Sequence, residues 1–164
     1  MNDTPRRIRV LVVDDSALYR QLIRNVLRDV PGVEVVGMAK SGQEVLDQVD
    51  SLAPDLLTLD VRMPGVDGID VLRELKKRRS PTRAIMVSSL TANGAQVTMD
   101  ALLEGAFDFI LKPASSDAAA NRKELLESLT EKVRIFRDSR GKGAGPRAPA
   151  PAAPRDLAAK PLPT

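Results

Sequence analysis

The 164-residue chain contains no histidine and no cysteine. The first absence excludes a histidine general base, a histidine zinc ligand and a phosphohistidine donor within the chain. The second excludes disulfides and thiolate metal sites. Aromatic residues make up only 2% of the sequence, which gives poor support to the stacking platforms that hold single-stranded nucleic acid. No apolar run approaches the ~20 residues that span a bilayer. Met1 to Arg7 is not followed by the apolar segment and cleavage site of a secretory signal. The expectation is a cytoplasmic protein without membrane insertion. The net charge of +3 is small and unevenly spread. Residues 139–164 carry Arg140, Lys142, Arg147, Arg155 and Lys160 against Asp156, a net +4. The remaining residues, with 20 basic and 21 acidic side chains, sum to −1. The basic excess therefore sits in the tail, and no nucleic-acid partner is expected.

Hydrophobic residues at 43% and charged residues at 29% suit one domain with an ordinary core. Apolar runs of strand length alternate with segments of helical period. Ile8–Val13, Val33–Met38, Asp55–Leu59, Ala84–Val87 and Phe107–Leu111 read as strands. Ser16 suits an N-cap, followed by a helix with Leu18, Leu22, Ile23, Val26 and Leu27 on its inner side. Ser41 and Glu44 have the spacing of a capping box, ahead of Val45, Leu46 and Val49. Asp67 suits the cap of a third helix ending in Lys76–Arg79, where basic side chains complement the helix dipole. Further helices are expected over Ala95–Glu104, stopped by Gly105, and over Asn121–Arg137. Met38, Met86 and Met99 read as packing residues, and Asp67, Asp70 and Asp108 as structural. Continuous apolar strands alternating with helices predict an α/β fold with a parallel sheet covered on both faces. Residues 139–164 hold six of the 12 prolines and seven alanines. Such a segment buries too little to offset its ordering entropy. It reads as a disordered Pro/Ala-rich basic linker whose second domain is missing, after a folded domain over residues 1–138.

Chemistry-bearing residues fall at the strand ends. Asp14 and Asp15 end the first run, Asp60 the third, Ser88 the fourth and Lys112–Pro113 the fifth. In open parallel sheets the carboxyl ends of strands build the site. Three converging carboxylates repel one another, and a hard cation resolves the conflict. Asp14, Asp15 and Asp60, with the backbone carbonyl of Arg62, are the candidate ligands for Mg2+ (or Mn2+). A carboxylate can act as a nucleophile and form an aspartyl phosphate. Lys112 supplies a mobile positive charge, and the Ser88 hydroxyl can donate to a phosphoryl oxygen. Singly, each motif is an ordinary cap or turn; jointly and in this order they point to a phosphoacceptor site.

The set Val13-Asp14-Asp15-Ser16, Leu59-Asp60, Met63-Pro64 with Asp67-Gly68, Val87-Ser88 and Lys112-Pro113 resembles response-regulator receiver domains over roughly residues 6–137. The resemblance implies a flavodoxin-like, five-stranded doubly wound parallel sheet in the order 2-1-3-4-5. It implies Asp60 as phosphoacceptor, Asp14 and Asp15 as metal-binding acids, Ser88 as switch hydroxyl, Phe109 as switch aromatic and Lys112 as phosphate contact. The Lys112–Pro113 peptide is often cis in that family. Val12–Leu18, Leu57–Val61, Met86–Thr91 and Gly105–Phe109 are similar to the chemotaxis protein-glutamate methylesterase subgroup. There, a histidine kinase phosphorylates the receiver and relieves inhibition of a C-terminal esterase acting on chemoreceptors. Without histidine, the chain cannot hold that esterase's Ser-His-Asp triad. Arg62 stands where the subgroup usually has an acid, and Phe109 lacks the hydroxyl of relatives with tyrosine.

Other readings are a stand-alone receiver and two functions of different class. A metal-dependent phosphohydrolase with Asp60 as nucleophile commonly needs a second acid two residues on, where Arg62 stands. A flavin or nucleotide module lacks its glycine-rich turn after the first strand.

Overall fold

The computed structural model describes residues 6–89 and 94–143. Strands and helices alternate as β1 (Ile8–Val13), α1 (Ala17–Arg28), β2 (Val33–Ala39), α2 (Gly42–Leu52), β3 (Leu56–Leu59), α3 (Gly68–Lys77), β4 (Arg83–Ser88), α4 (Gly94–Leu103), β5 (Asp108–Leu111) and α5 (Ala118–Gly143). The strands form one parallel sheet in the order β2-β1-β3-β4-β5, as expected. The order reverses between β1 and β3, so a crevice opens at their carboxyl ends.

Strand alternation divides the core in two. Val10, Val12, Leu56, Ile85, Val87 and Ile110 meet Ile23, Val26 and Leu27 of α1 and Leu125, Leu129, Val133 and Phe136 of α5. Leu11, Val13, Leu57, Leu59 and Met86 meet α2, α3 and Ala101 of α4 on the other face. Each fully buried Leu, Ile or Val contributes about 1.5–3 kcal/mol, which is why strands with no polar face can be so short.

Local signals placed most helix starts. Ser16 Oγ accepts from the Tyr19 N–H at 3.2 Å, and Asp67 forms a reciprocal capping box with Asp70. The Ser41 pair departs from expectation. Ser41 Oγ accepts from Glu44 N–H, but the Glu44 carboxylate reaches back to the Lys40 N–H at 2.9 Å instead of the cap residue's own. Asp108 is structural, accepting from the Phe109 N–H and pairing with Lys132.

Three expectations need correction. Leu18 is 80% exposed; it lies in the first turn of α1, above the end of β1, where no strand side chain remains to pack against. Met99 is 53% exposed on the outer side of α4. Helix α5 continues beyond Arg137 to Gly143, five residues into the segment read as linker. The extension has an anchor: Arg140 pairs with Asp55 at 3.1 Å, and Asp55 also binds Arg6 and the Arg9 N–H. Residues 144–164, the rest of that segment, lie outside the described residues. Every described peptide bond is trans, Lys112–Pro113 included, the isomer an X–Pro bond prefers without further constraint. Among the described residues no helix is long and apolar enough to cross a membrane.

Two glycines meet backbone requirements. Gly105 (φ +102°) ends α4 in a backbone region that favours glycine. Gly68 has a different reason, close approach: a Cβ there would collide with the Asp60 carbonyl oxygen, while its N–H donates to Val61 O at 2.8 Å. Gly68→Ala is expected to destabilise the domain by about 1–3 kcal/mol, read as a lower urea midpoint. Thr58, on the α1/α5 face of β3, is fully buried and its hydroxyl has no hydrogen-bond partner. Thr58→Val removes that unpaired group and should raise stability by about 1 kcal/mol in the same titration.

Candidate functional site

The sheet ladder runs one residue past its strands. Asp14 N–H donates to Ala39 O at 3.2 Å, Asp60 N–H to Val13 O at 3.1 Å, and Lys112 N–H to Ser88 O at 2.8 Å. Those bonds fix the backbones of Asp14, Asp60 and Lys112 around the crevice. Asp14 and Asp60 are buried and Asp15 is exposed at the rim. The three acids can each turn one oxygen to a common region, those oxygens lying within 4.8 Å of one another.

The loop after β1 is itself tied down. Asp14 Oδ1 accepts from the Ser16 N–H at 2.9 Å, and Arg20 Nη1 donates to the Asp14 carbonyl at 2.8 Å. Asp14 Oδ2 has Lys112 Nζ at 2.8 Å, but the contact lacks the direction of a hydrogen bond and Oδ2 receives none. A buried carboxylate oxygen left in this way, within an all-oxygen set, fits a hard cation. Lys112 Nζ also stands 3.6 Å from Asp60 Oδ2.

Burial, above all, and then Asp14 push the Asp60 carboxyl from its ordinary 3.8 up to about 6. Lys112 and the Arg62 N–H pull it back, while Asp15 adds to the rise. The site is thus short of positive charge: three acids face one ammonium. A cleft of about 570 Å³ opens beside it, lined by Asp15, Arg62, Met63, Pro64, Asp67 and Asp100 among others.

The structure brings together Asp14, Asp15, Asp60 and Lys112, and sets buried Ser88 beside Lys112 through the backbone bond. Arg62 is exposed along the cleft. Phe109 does not join the acids; it pairs with Met86 and packs, half-buried, against the core on the α4 side. Leu90 and Thr91 of the fourth motif lie outside the described residues. Two residues escaped the sequence reading. Tyr19, the chain's single tyrosine, places its ring 4.2 Å from Lys112 Nζ, and Arg20 holds the Asp14 carbonyl. The available signal was the N-cap: Ser16 fixes the start of α1 and so sets Tyr19 in its first turn.

Residues 10–127 match the family described as the response regulator receiver domain. The chain is 46% identical over 132 residues to the protein-glutamate methylesterase/protein-glutamine glutaminase of Desulfotalea psychrophila, covering 80% of this chain and 36% of that protein. It therefore spans little more than a third of the length of that relative. The crystal structure of the response regulator domain of Thermotoga maritima CheB is 44% identical, with a TM-score of 0.69, over 79% of this chain and 96% of that one. A chain of the CheX-CheY-BeF3-Mg+2 complex from Borrelia burgdorferi is 29% identical, with a TM-score of 0.65, over 79% and 91% of the two chains.

The raised Asp60 value has a signed consequence for stability. The native state holds the proton to about pH 6, while the unfolded state releases it near the ordinary value. Stability is therefore present at low pH and lost as pH rises through that window. An asparagine in place of Asp60 stays neutral throughout. In metal-free buffer, Asp60→Asn should be more stable than wild type at about pH 7.5, with the gap shrinking towards about pH 4. Urea midpoints of both proteins across the range measure it.

Proposed function

The chain belongs to the response regulator receiver domain family, as the receiver of a methylesterase-type response regulator, and from that premise we propose that it is a metal-dependent phosphoacceptor switch. The observation that carries the reading is the convergence of Asp14, Asp15 and Asp60 with Lys112 Nζ lying between the carboxylates of Asp14 and Asp60.

Asp60 is the nucleophile. Its carboxylate oxygen bonds to the phosphorus of a phosphohistidine on a chemotaxis histidine kinase. The P–N bond breaks, and its electron pair returns to the imidazole. The acyl phosphate carries nearly two negative charges where the carboxylate carried one, and the excess requires neutralisation, because phosphoryl transfer depends mainly on positioning and charge compensation. Lys112 offers an ammonium within reach of the new oxygens, and Ser88 a hydroxyl on the neighbouring strand. Asp14, Asp15, Asp60 and the Arg62 carbonyl would hold Mg2+ (Mn2+ is the close substitute). When bound, the ion would supply positive charge to draw the acids together and to offset the phosphoryl oxygens. The similar chain from the Borrelia CheX-CheY-BeF3-Mg+2 complex supports magnesium as the ion.

The readout is local electrostatics. Drawing Ser88 and Lys112 towards a phosphoryl group pulls on the segments after β4 and β5 and repacks Phe109. We read the segment after α5, residues 144–164, as the linker to a C-terminal domain with the activity named for the relatives, acting on chemoreceptors, which the phosphorylated receiver releases from inhibition.

Intact-mass spectrometry after acetyl phosphate treatment tests the site. A single labile phosphate adduct is expected in wild type with magnesium, and none without magnesium or in Asp60→Asn. An adduct that persists in Asp60→Asn would remove Asp60 from the role.

A further inference from the structure

Lys112 is held by more than its two carboxylates. Its side chain is 11% exposed, and the face of the Tyr19 ring lies 4.2 Å from Nζ, well inside the range of a cation–π contact. Tyr19 does not belong to the strand-end motifs. It stands in the first turn of α1, where its own N–H donates to the cap Ser16 Oγ, while Ser16 N–H donates to Asp14 Oδ1. One short loop thus carries the carboxylate that Lys112 meets and the aromatic face that covers it. The phenol is half-buried and makes no hydrogen bond within the described residues, so the contact with Lys112 is made by the ring.

The contact answers a mechanical problem. A lysine ammonium is a point charge on a flexible four-carbon stem. It stands 2.8 Å from Asp14 Oδ2 and 3.6 Å from Asp60 Oδ2, so it sits nearer the acid that does not react. To meet a phosphoryl group on Asp60 it must shift from one side to the other. A hydrogen bond would resist that shift, because it is directional. A ring face attracts the cation across its whole area, so the ammonium can slide while staying out of water.

We propose that Tyr19 is a positioning residue, whose ring face holds the Lys112 ammonium within reach of both Asp14 and Asp60 and so sets how fast Asp60 takes up a phosphoryl group. The proposal rests on the reading of Asp60 as phosphoacceptor. The hydroxyl is not required, and the effect passes entirely through Lys112.

The test uses the full chain, magnesium and acetyl phosphate. In the reaction the Asp60 oxygen bonds to phosphorus, the P–O bond to the acetyl group breaks, and acetate leaves with the electron pair. Adduct formation is timed by intact mass. Tyr19→Leu keeps apolar bulk without the ring face and should slow formation about five- to tenfold. Tyr19→Phe restores the face and should restore the rate. In a Lys112→Met background, followed over longer incubation, Tyr19→Leu should add less than about a twofold effect. A second readout needs no reaction: the Lys112 ε-methylene proton resonances should be displaced upfield by the ring in wild type and Tyr19→Phe, and not in Tyr19→Leu. Normal rates in Tyr19→Leu, a slow Tyr19→Phe, or an undiminished effect in the Lys112→Met background would each overturn the positioning role alone. So would Lys112 resonances indifferent to the ring. Failure of wild type to form any adduct would overturn the phosphoacceptor reading, and the positioning role with it.

Discussion

Like-charge repulsion among Asp14, Asp15 and Asp60 is the constraint on which the rest of the structure turns. Two of these acids are buried, and burial first, then Asp14, holds the Asp60 carboxyl up to about 6 against the pull of the Lys112 ammonium. Left to itself, such a cluster would push its loops apart. The fold prevents this with backbone hydrogen bonds that continue the sheet ladder to Asp14, Asp60 and Lys112. Those bonds do not depend on side-chain charge, so the acids stay together whatever their protonation. Behind them, the strands are buried on both faces. The apolar core, of order several tens of kcal/mol before entropy is counted, resists the distortion that repulsion would otherwise cause.

The helices serve the same end. Gly68 lets α3 start against the Asp60 carbonyl, so the segment after Asp60 turns away tightly and leaves the cleft open. The Asp67–Asp70 capping box closes the donors of that helix start. Asp67 lines the cleft and at first sight belongs with the acids, yet its carboxylate is spent on a backbone N–H. The distinction matters for chemistry: a carboxylate engaged in capping is a poor candidate for a cation ligand, whereas Asp14 Oδ2 has no donor of its own.

Much of this was legible from residue order. The bounds of β1 and the acids that follow it were readable because a fully apolar run stops abruptly at a charge. The parallel sheet followed from strand-length runs separated by helical periods. What was not legible depended on where an element ends relative to its neighbours. Leu18 has the spacing of a core residue, but the sheet stops below it, so period alone misplaced it. Glu44 has capping-box spacing and chose the Lys40 N–H instead. The reach of α5 past Arg137 was hidden because glycine and serine weaken its helical signal, while its anchor, Asp55, lies far away in sequence. Tyr19 was invisible for the same reason, since its partner Lys112 arrives from the last strand.

Charge counting gives the site its logic. With three carboxylates and one ammonium, the nearest groups carry a formal deficit of two positive charges when all are ionised. On the proposed phosphoacceptor reading, converting the Asp60 carboxylate into an acyl phosphate adds close to one further negative charge to the same crevice. No side chain present can supply three positive charges. Of the further cations, Arg20 is engaged by the Asp14 carbonyl, and Arg62 lies exposed along the cleft, where water screens it. On that reading a divalent cation is called for before any consideration of rate: without one, a phosphorylated crevice would be electrostatically worse than the resting one. Lys112 stands between two anionic partners, 2.8 Å from Asp14 Oδ2 and 3.6 Å from Asp60 Oδ2. Its backbone N–H, bonded to the Ser88 carbonyl, ties it to β4 as well as to β5.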